Sequence, residues 1–147
     1  MIRRATEQDA DAIVAIFEPS FATLDFLPQL HTHDENVAWF RGRIAEGEAY
    51  LLGDGFAILS GDMLSHLYVH PRSIGTGIGH ALFEHATSLR PEGFDFWVFQ
   101  QNERARRFYE THGAKAVEFT DGSGNEERTP DVRYEWRPRG RPGSPGR

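Results

Sequence analysis

The stretch Leu64-Ser-His-Leu-Tyr-Val-His-Pro-Arg-Ser-Ile-Gly-Thr-Gly-Ile-Gly-His-Ala-Leu82 decides how this chain is read. Leu64, Leu67 and Val69 lie among strand formers, Pro71 stops the strand, and glycines at 75, 77 and 79 turn the chain. Ile78, Leu82 and Ala86 then recur at helical spacing. The pattern predicts a strand, a glycine-rich turn and a helix. A helix N-terminus presents unpaired N–H groups and the positive end of a dipole, and glycines admit a charged ligand close to the backbone. Gly75, Thr76, Gly77, Ile78, Gly79 and His80 therefore form a candidate phosphate cradle. The same turn also serves as a plain tight connection. Two phosphate motifs are excluded by spacing: Gly-x-Gly-x-x-Gly is not met, and the Gly-Lys-Ser/Thr ending of a P-loop is absent.

Outward from this stretch, 147 residues with 39% hydrophobic and 26% charged side chains predict one domain with one core. No apolar run approaches the ~20 residues of a membrane span, and no signal-peptide core is present at the N-terminus, so a cytoplasmic setting without membrane partners is expected. The absence of cysteine removes disulfides, thiolate metal sites and an acyl-cysteine route. A net charge of −6 argues against nucleic acid as a partner and is compatible with a cationic acceptor.

The remaining elements follow in order. Ile2 to Ala5 reads as a strand, and Thr6-Glu7-Gln8-Asp9 starts a helix that buries Ala10, Ile13 and Phe17 and ends at Pro19. Residues 20–32 read as an irregular apolar segment. Thr32 and Glu35 make a capping box for a second helix with Val37, Phe40 and Ile44 inward, terminated by Gly47. Gly53-Asp54-Gly55 joins two hairpin strands. After the glycine turn come a strand over 94–99, a helix over 103–111 capped by Asn102, a strand over 116–119, and a last strand alternating Val132, Tyr134 and Trp136. The order mixes hairpins with crossovers and predicts an α/β (α+β) fold, a mixed sheet of about seven strands flanked by about four helices. The domain is expected over 1–137, with a disordered Pro/Gly/Arg-rich tail over 138–147.

Two motifs carry a resemblance. Val69, Pro71, Gly77 and Gly79 match the Val-x-Pro and Gly-x-Gly turn of the GCN5-related N-acetyltransferase superfamily, with Ile74 where that family usually has Arg or Gln. Asn102-x-x-Ala105-x-x-Phe108-Tyr109-x-x-x-Gly113-Ala114 is similar to its second segment, with Ala114 in place of an aromatic. The resemblance covers about residues 1–137. It implies an acetyl-CoA-dependent N-acetyltransferase acting by direct attack of a primary amine, with no metal. It further implies that the cradle takes the pyrophosphate, that backbone groups of Leu67, Tyr68 and Val69 and the amide of Asn102 hold the pantetheine arm, and that Tyr109 protonates the leaving thiolate. On the residues alone, Asn102 also reads as an N-cap and Tyr109 as a packing aromatic, and helical spacing points Ala105 and Phe108 at the sheet with Tyr109 elsewhere. Arg72, Arg104, Arg106 and Arg107 are candidate phosphate partners.

The base is less determined. Some relatives carry a glutamate where Trp97 stands. His66 is the candidate proton acceptor because an ordinary imidazole pKa near ~6.5 suits that work, provided a bulge aims it suitably. Glu126, Glu127, His31 or a water chain are the alternatives. His31, Glu126 and Glu127 are also the candidate acceptor-binding residues, in the segments 21–33 and 121–131. The expected acceptor is a small-molecule amine, and a homodimer is admitted. A second reading from another class is an acyl-CoA-binding sensor without turnover. His66 and His70 are about 13 Å apart at ~3.3 Å per strand residue, too far to share a metal.

Overall fold

A computed structural model describes residues 1–138, so the expected tail lies, from residue 139, outside the described residues. The chain packs as two compact units, the first Met1–Ala86 and the second from Thr87 on.

In the first unit, strands β1 (Arg3–Arg4), β2 (Glu48–Leu52), β3 (Gly55–Ser60) and β4 (Met63–Val69) form an antiparallel meander. Helices α1 (Ala10–Ala22) and α2 (His33–Glu46) cover one of its faces, and Ile13, Val14, Phe40, Ile44, Phe56 and Ile58 make their shared core. Helix α3 (Ile78–Leu89) follows the glycine turn. It presses so closely on the hairpin that a Cβ at Gly55 would lie 2.4 Å from the Ile78 side chain. Only glycine fits there.

The capping box of α2 forms as expected: the Thr32 hydroxyl accepts from the Glu35 amide at 3.2 Å and the Thr32 amide donates to the Glu35 carboxylate at 2.8 Å. Helix α1 differs from expectation. Asp9 closes a single 3-10 turn over Glu7–Asp9, and α1 then runs through Pro19 to Ala22. The proline removes one backbone donor. At the next residue, Ser20 Oγ lies 2.8 Å from the carbonyls of both Ile16 and Val69, which fastens the last turn of α1 to β4.

In the second unit, β5 (Phe94–Phe99), α4 (Glu103–Thr111), β6 (Lys115–Phe119) and β7 (Asp131–Trp136) follow in sequence. Strand β7 pairs antiparallel with both β5 and β6. Alternation splits the strands into two chemistries. Phe96, Val132 and Tyr134 are buried, whereas Asp95, Arg133 and Glu135 join an ionic ladder with Glu118 and Arg137. No helix among the described residues is long and apolar enough to cross a membrane.

Candidate active site

The strand that leads into the glycine turn is irregular at the residue that matters. Leu59 pairs with Leu64 but Ile58 pairs with His66, so Ser65 is an extra residue and β4 bulges there. A bulge shifts the alternation by one. His66 consequently shares the face of Phe56, Ile58 and Tyr68, against α2. Its ring lies 5.2 Å from Phe40 and 5.3 Å from Trp39, with Phe56 and Tyr68 just over 6 Å away. This enclosure half-buries His66 and strips its imidazole of much of its hydration, and the Arg43 guanidinium adds positive charge nearby. Together, desolvation first, they pull its pKa down to about 3. The Ser65 hydroxyl lies 3.1 Å from the Ile58 carbonyl, to which it donates, and 3.0 Å from His66 Nδ1. With that proton committed to the carbonyl, Nδ1 is the protonated nitrogen and Nε2 carries the lone pair.

Beyond β4 the chain makes a 3-10 turn over Pro71–Ser73 and reaches Gly75 and Gly77, at φ 85° and 93°. Those left-handed angles favour glycine. A Cβ built on either meets nothing within 4 Å, so the space above the turn is open. The first helical bond of α3 runs from Ala81 N to Gly77 O at 3.0 Å, and the amides of Ile78, Gly79 and His80 precede it in the first turn. An open, glycine-lined helix start fits a phosphate group.

The loop is held from below by Asp54, whose place in sequence predicts only a hairpin turn. Asp54 accepts two bonds from the Arg72 guanidinium, at 2.9 and 3.0 Å, and one from the Ser73 hydroxyl at 2.6 Å. The arginine holds the Asp54 carboxyl well below its usual range. Arg72, a candidate phosphate partner, is thus committed to this clamp. Of the backbone groups expected to hold pantetheine, the Val69 carbonyl already accepts from Ser20. The Tyr68 ring packs on Phe17 and Phe56, and Leu67 pairs with Ala57. His31 stands at the surface, 3.7 Å from Glu35.

In the second unit, Asn102 is the N-cap of α4, its Oδ1 accepting from the Ala105 amide at 3.3 Å. The facing of α4 differs from expectation. Tyr109 is its buried residue, 9% exposed, with its ring 4.4 Å from Phe96, while Ala105 and Phe108 are only half-buried. Positions 105 and 109 are i and i+4 and share a face, so spacing from Ala105 selects Tyr109 as readily as Phe108. Arg106 and Arg107 are engaged with Tyr134 and Glu103. Glu126 and Glu127 stand in a loop that braces itself: Asn125 bonds both ways with the backbone of Thr129, and Gly122 lies so near Thr129 that a Cβ would come within 2.3 Å of its backbone. Glu126 is exposed and Glu127 half-buried.

A family model described as an acetyltransferase (GNAT) domain matches residues 33–113. The peptidyl-lysine N-acetyltransferase YjaB of Escherichia coli strain K12 is 34% identical over 124 residues, 79% of this chain and 82% of that one. The solution structure of apo YjaB from Escherichia coli superposes with a TM-score of 0.74 at 29% identity, covering 92% of this chain and 96% of the other. At the level of fold, the PaiA N-acetyltransferase of Thermoplasma acidophilum in complex with coenzyme A gives 0.69 at 19% identity, over 94% and 98%. The expected fold class, a mixed sheet of seven strands with four helices, is the one found.

Proposed function

Because the chain belongs to the GCN5-related N-acetyltransferase superfamily and is an N-acetyltransferase, we propose that it transfers the acetyl group of acetyl-CoA to the side-chain amine of a lysine in a protein or peptide. The observation that carries this acceptor is the 34% identity to a peptidyl-lysine N-acetyltransferase. The small-molecule amine expected from the sequence is the competing arm of the test. In one turnover the acceptor nitrogen bonds to the acetyl carbon and the carbon–sulfur bond breaks. The acceptor ammonium gives up two protons, one before the attack and one from the same nitrogen after it, and the departing thiolate takes up one, so each turnover releases one proton net.

Each step finds a residue to serve it. The open glycines and the first-turn amides of α3 receive the pyrophosphate, a role supported by their geometry and by a coenzyme A complex of the same fold. Strand β4 offers backbone groups of Leu67, Tyr68 and Val69 to the pantetheine arm. Asn102, its Oδ1 used by the cap, has its NH2 end for the same purpose. Tyr109 gives its hydroxyl proton to the thiolate.

His66 takes a role other than base. An alkylammonium has a pKa near ~10, so a proton passed to an imidazole at about 3 would climb about seven units, or roughly 10 kcal/mol. Neutral His66 instead accepts a hydrogen bond at Nε2 and orients the amine, whose proton leaves to water. Glu126 and Glu127 attract the cationic acceptor, and His31 offers it an imidazole lone pair as a hydrogen-bond acceptor.

The test measures thiol release from acetyl-CoA with lysine-bearing peptides and with a panel of small amines. Turnover with the highest kcat/KM on peptide lysine is expected. Turnover on small amines alone overturns the acceptor, and acetyl-CoA binding without turnover on any amine turns the reading to the acyl-CoA-binding sensor.

A further inference from the structure

Tyr134 is wholly buried, yet it is a tyrosine and not a phenylalanine. Burying a hydroxyl costs free energy unless it is bonded. This one is bonded twice, and both partners lie on the same helix. The Arg106 guanidinium donates to it through Nε at 3.0 Å, and it donates to the Glu110 carboxylate at 2.5 Å. Arg106 and Glu110 are four residues apart, one turn of α4, so a single atom of β7 grips two successive turns of the helix. The Tyr134 ring is stacked on Phe96, centroids 5.6 Å apart and planes within 7°, and Phe96 in turn meets Tyr109 at 4.4 Å.

We propose that Tyr134 is a positioning residue for Tyr109: its hydroxyl, tied to Arg106 and Glu110, sets the rotation of α4 and with it the place of the Tyr109 hydroxyl. The proposal rests on the reading of Tyr109 as the proton donor to the thiolate. The physical reason is directionality. Apolar contacts such as Phe96 with Tyr109 tolerate small rotations of the helix, whereas a hydrogen bond weakens steeply with angle. Two bonds from one fixed point, one turn apart, leave the helix a single rotation. Burial holds Tyr134 as the neutral phenol, so the grip persists across the neutral pH range. Arg106 also reaches toward the Gln100 carbonyl at 3.5 Å, and the Gln100 side chain holds the carbonyls of Thr120 and Asp131, so the chain entering Asn102 belongs to the same network.

Tyr134→Phe keeps the ring and its stacking and removes the grip. Its kcat is expected to fall about tenfold, within what a displacement under 1 Å costs an oriented group, while KM for acetyl-CoA stays within about twofold. In a Tyr109→Phe background the same change should lower kcat no further, because residues that act as one unit are not additive. Glu110 is exposed, so Glu110→Ala leaves the core intact and should lower kcat in the same direction. Glu110→Gln, which can still accept, should restore it. Normal kcat in Tyr134→Phe beside a depressed Tyr109→Phe overturns the proposal, and so do losses that multiply in the double variant. Near-normal kcat in Tyr109→Phe overturns the donor reading itself, and the positioning role with it.

Discussion

His66 is a histidine whose chemistry is set by its neighbours. Its imidazole pKa falls from an ordinary ~6.5 to about 3, so the neutral form is favoured in the folded state and the charged form in the unfolded one. The stability this contributes is complete above the unfolded pKa and is lost as pH falls toward 3, by about 1.4 kcal/mol per pH unit at most. Urea unfolding at pH 7 and pH 5 should therefore show a steeper decline for the native protein than for His66→Gln. In the folded protein the His66 ring proton resonance should not titrate between pH 5 and 8. A midpoint inside that window would overturn the assignment of a neutral orienting residue. Gly77 makes a second residue-scale case. At φ 93° under open space, valine would be strained by roughly 1–3 kcal/mol and would fill the cradle. Gly77→Val should remain folded and lose measurable acetyl-CoA binding by calorimetry; unchanged affinity would dismiss the cradle. For Tyr109, loss of the hydroxyl in Tyr109→Phe should lower kcat by roughly 10²-fold with acetyl-CoA affinity little changed.

Among elements, the hairpin turn between β2 and β3 does more than reverse the chain. Asp54 in that turn fastens Arg72 and Ser73, and its own carbonyl accepts the His70 amide at 2.8 Å, so the start of the glycine loop is ordered before any ligand arrives. Preordering lowers the entropic cost of binding. Asp54→Ala should raise KM for acetyl-CoA by about 3- to 10-fold with kcat nearly unchanged, read by steady-state kinetics. A fall in kcat at constant KM would place the clamp in the chemistry instead. The bulge at Ser65 is the other decisive element. Without it, Leu64 and His66 would share a face, and the histidine would point away from Trp39 and Phe40.

Across the whole molecule the charge is uneven. Residues 1–86 contain twelve carboxylates against five arginines, which accounts for more than the entire net charge of −6. A first unit of this acidity favours approach of a cation, an effect that salt screens. With a lysine peptide flanked by basic residues, kcat/KM should fall several-fold between about 50 and 300 mM salt, whereas KM for acetyl-CoA should move less. An acceptor kcat/KM indifferent to salt would remove charge from the recognition argument.

Local chemistry was sufficient for most of the elements. The Thr32–Glu35 capping box, the Gly53-Asp54 hairpin, the Asn102 cap and the glycine-to-helix turn all act within a few residues, and all stand where the sequence places them. Family membership was legible for a related reason, since both motifs are short and contiguous. Tertiary packing decided what distance in the chain conceals. Pro19 continues a helix because Ser20 is anchored to Val69, 49 residues away. Arg72 is withdrawn from phosphate because Asp54 takes it, and Tyr109 turns inward because Phe96 and Tyr134 meet it there. The charge state of His66 depends on α2 and on a one-residue bulge. A sequence displays the titratable group, but the burial and the neighbouring charge that set its pKa exist only once distant segments have packed.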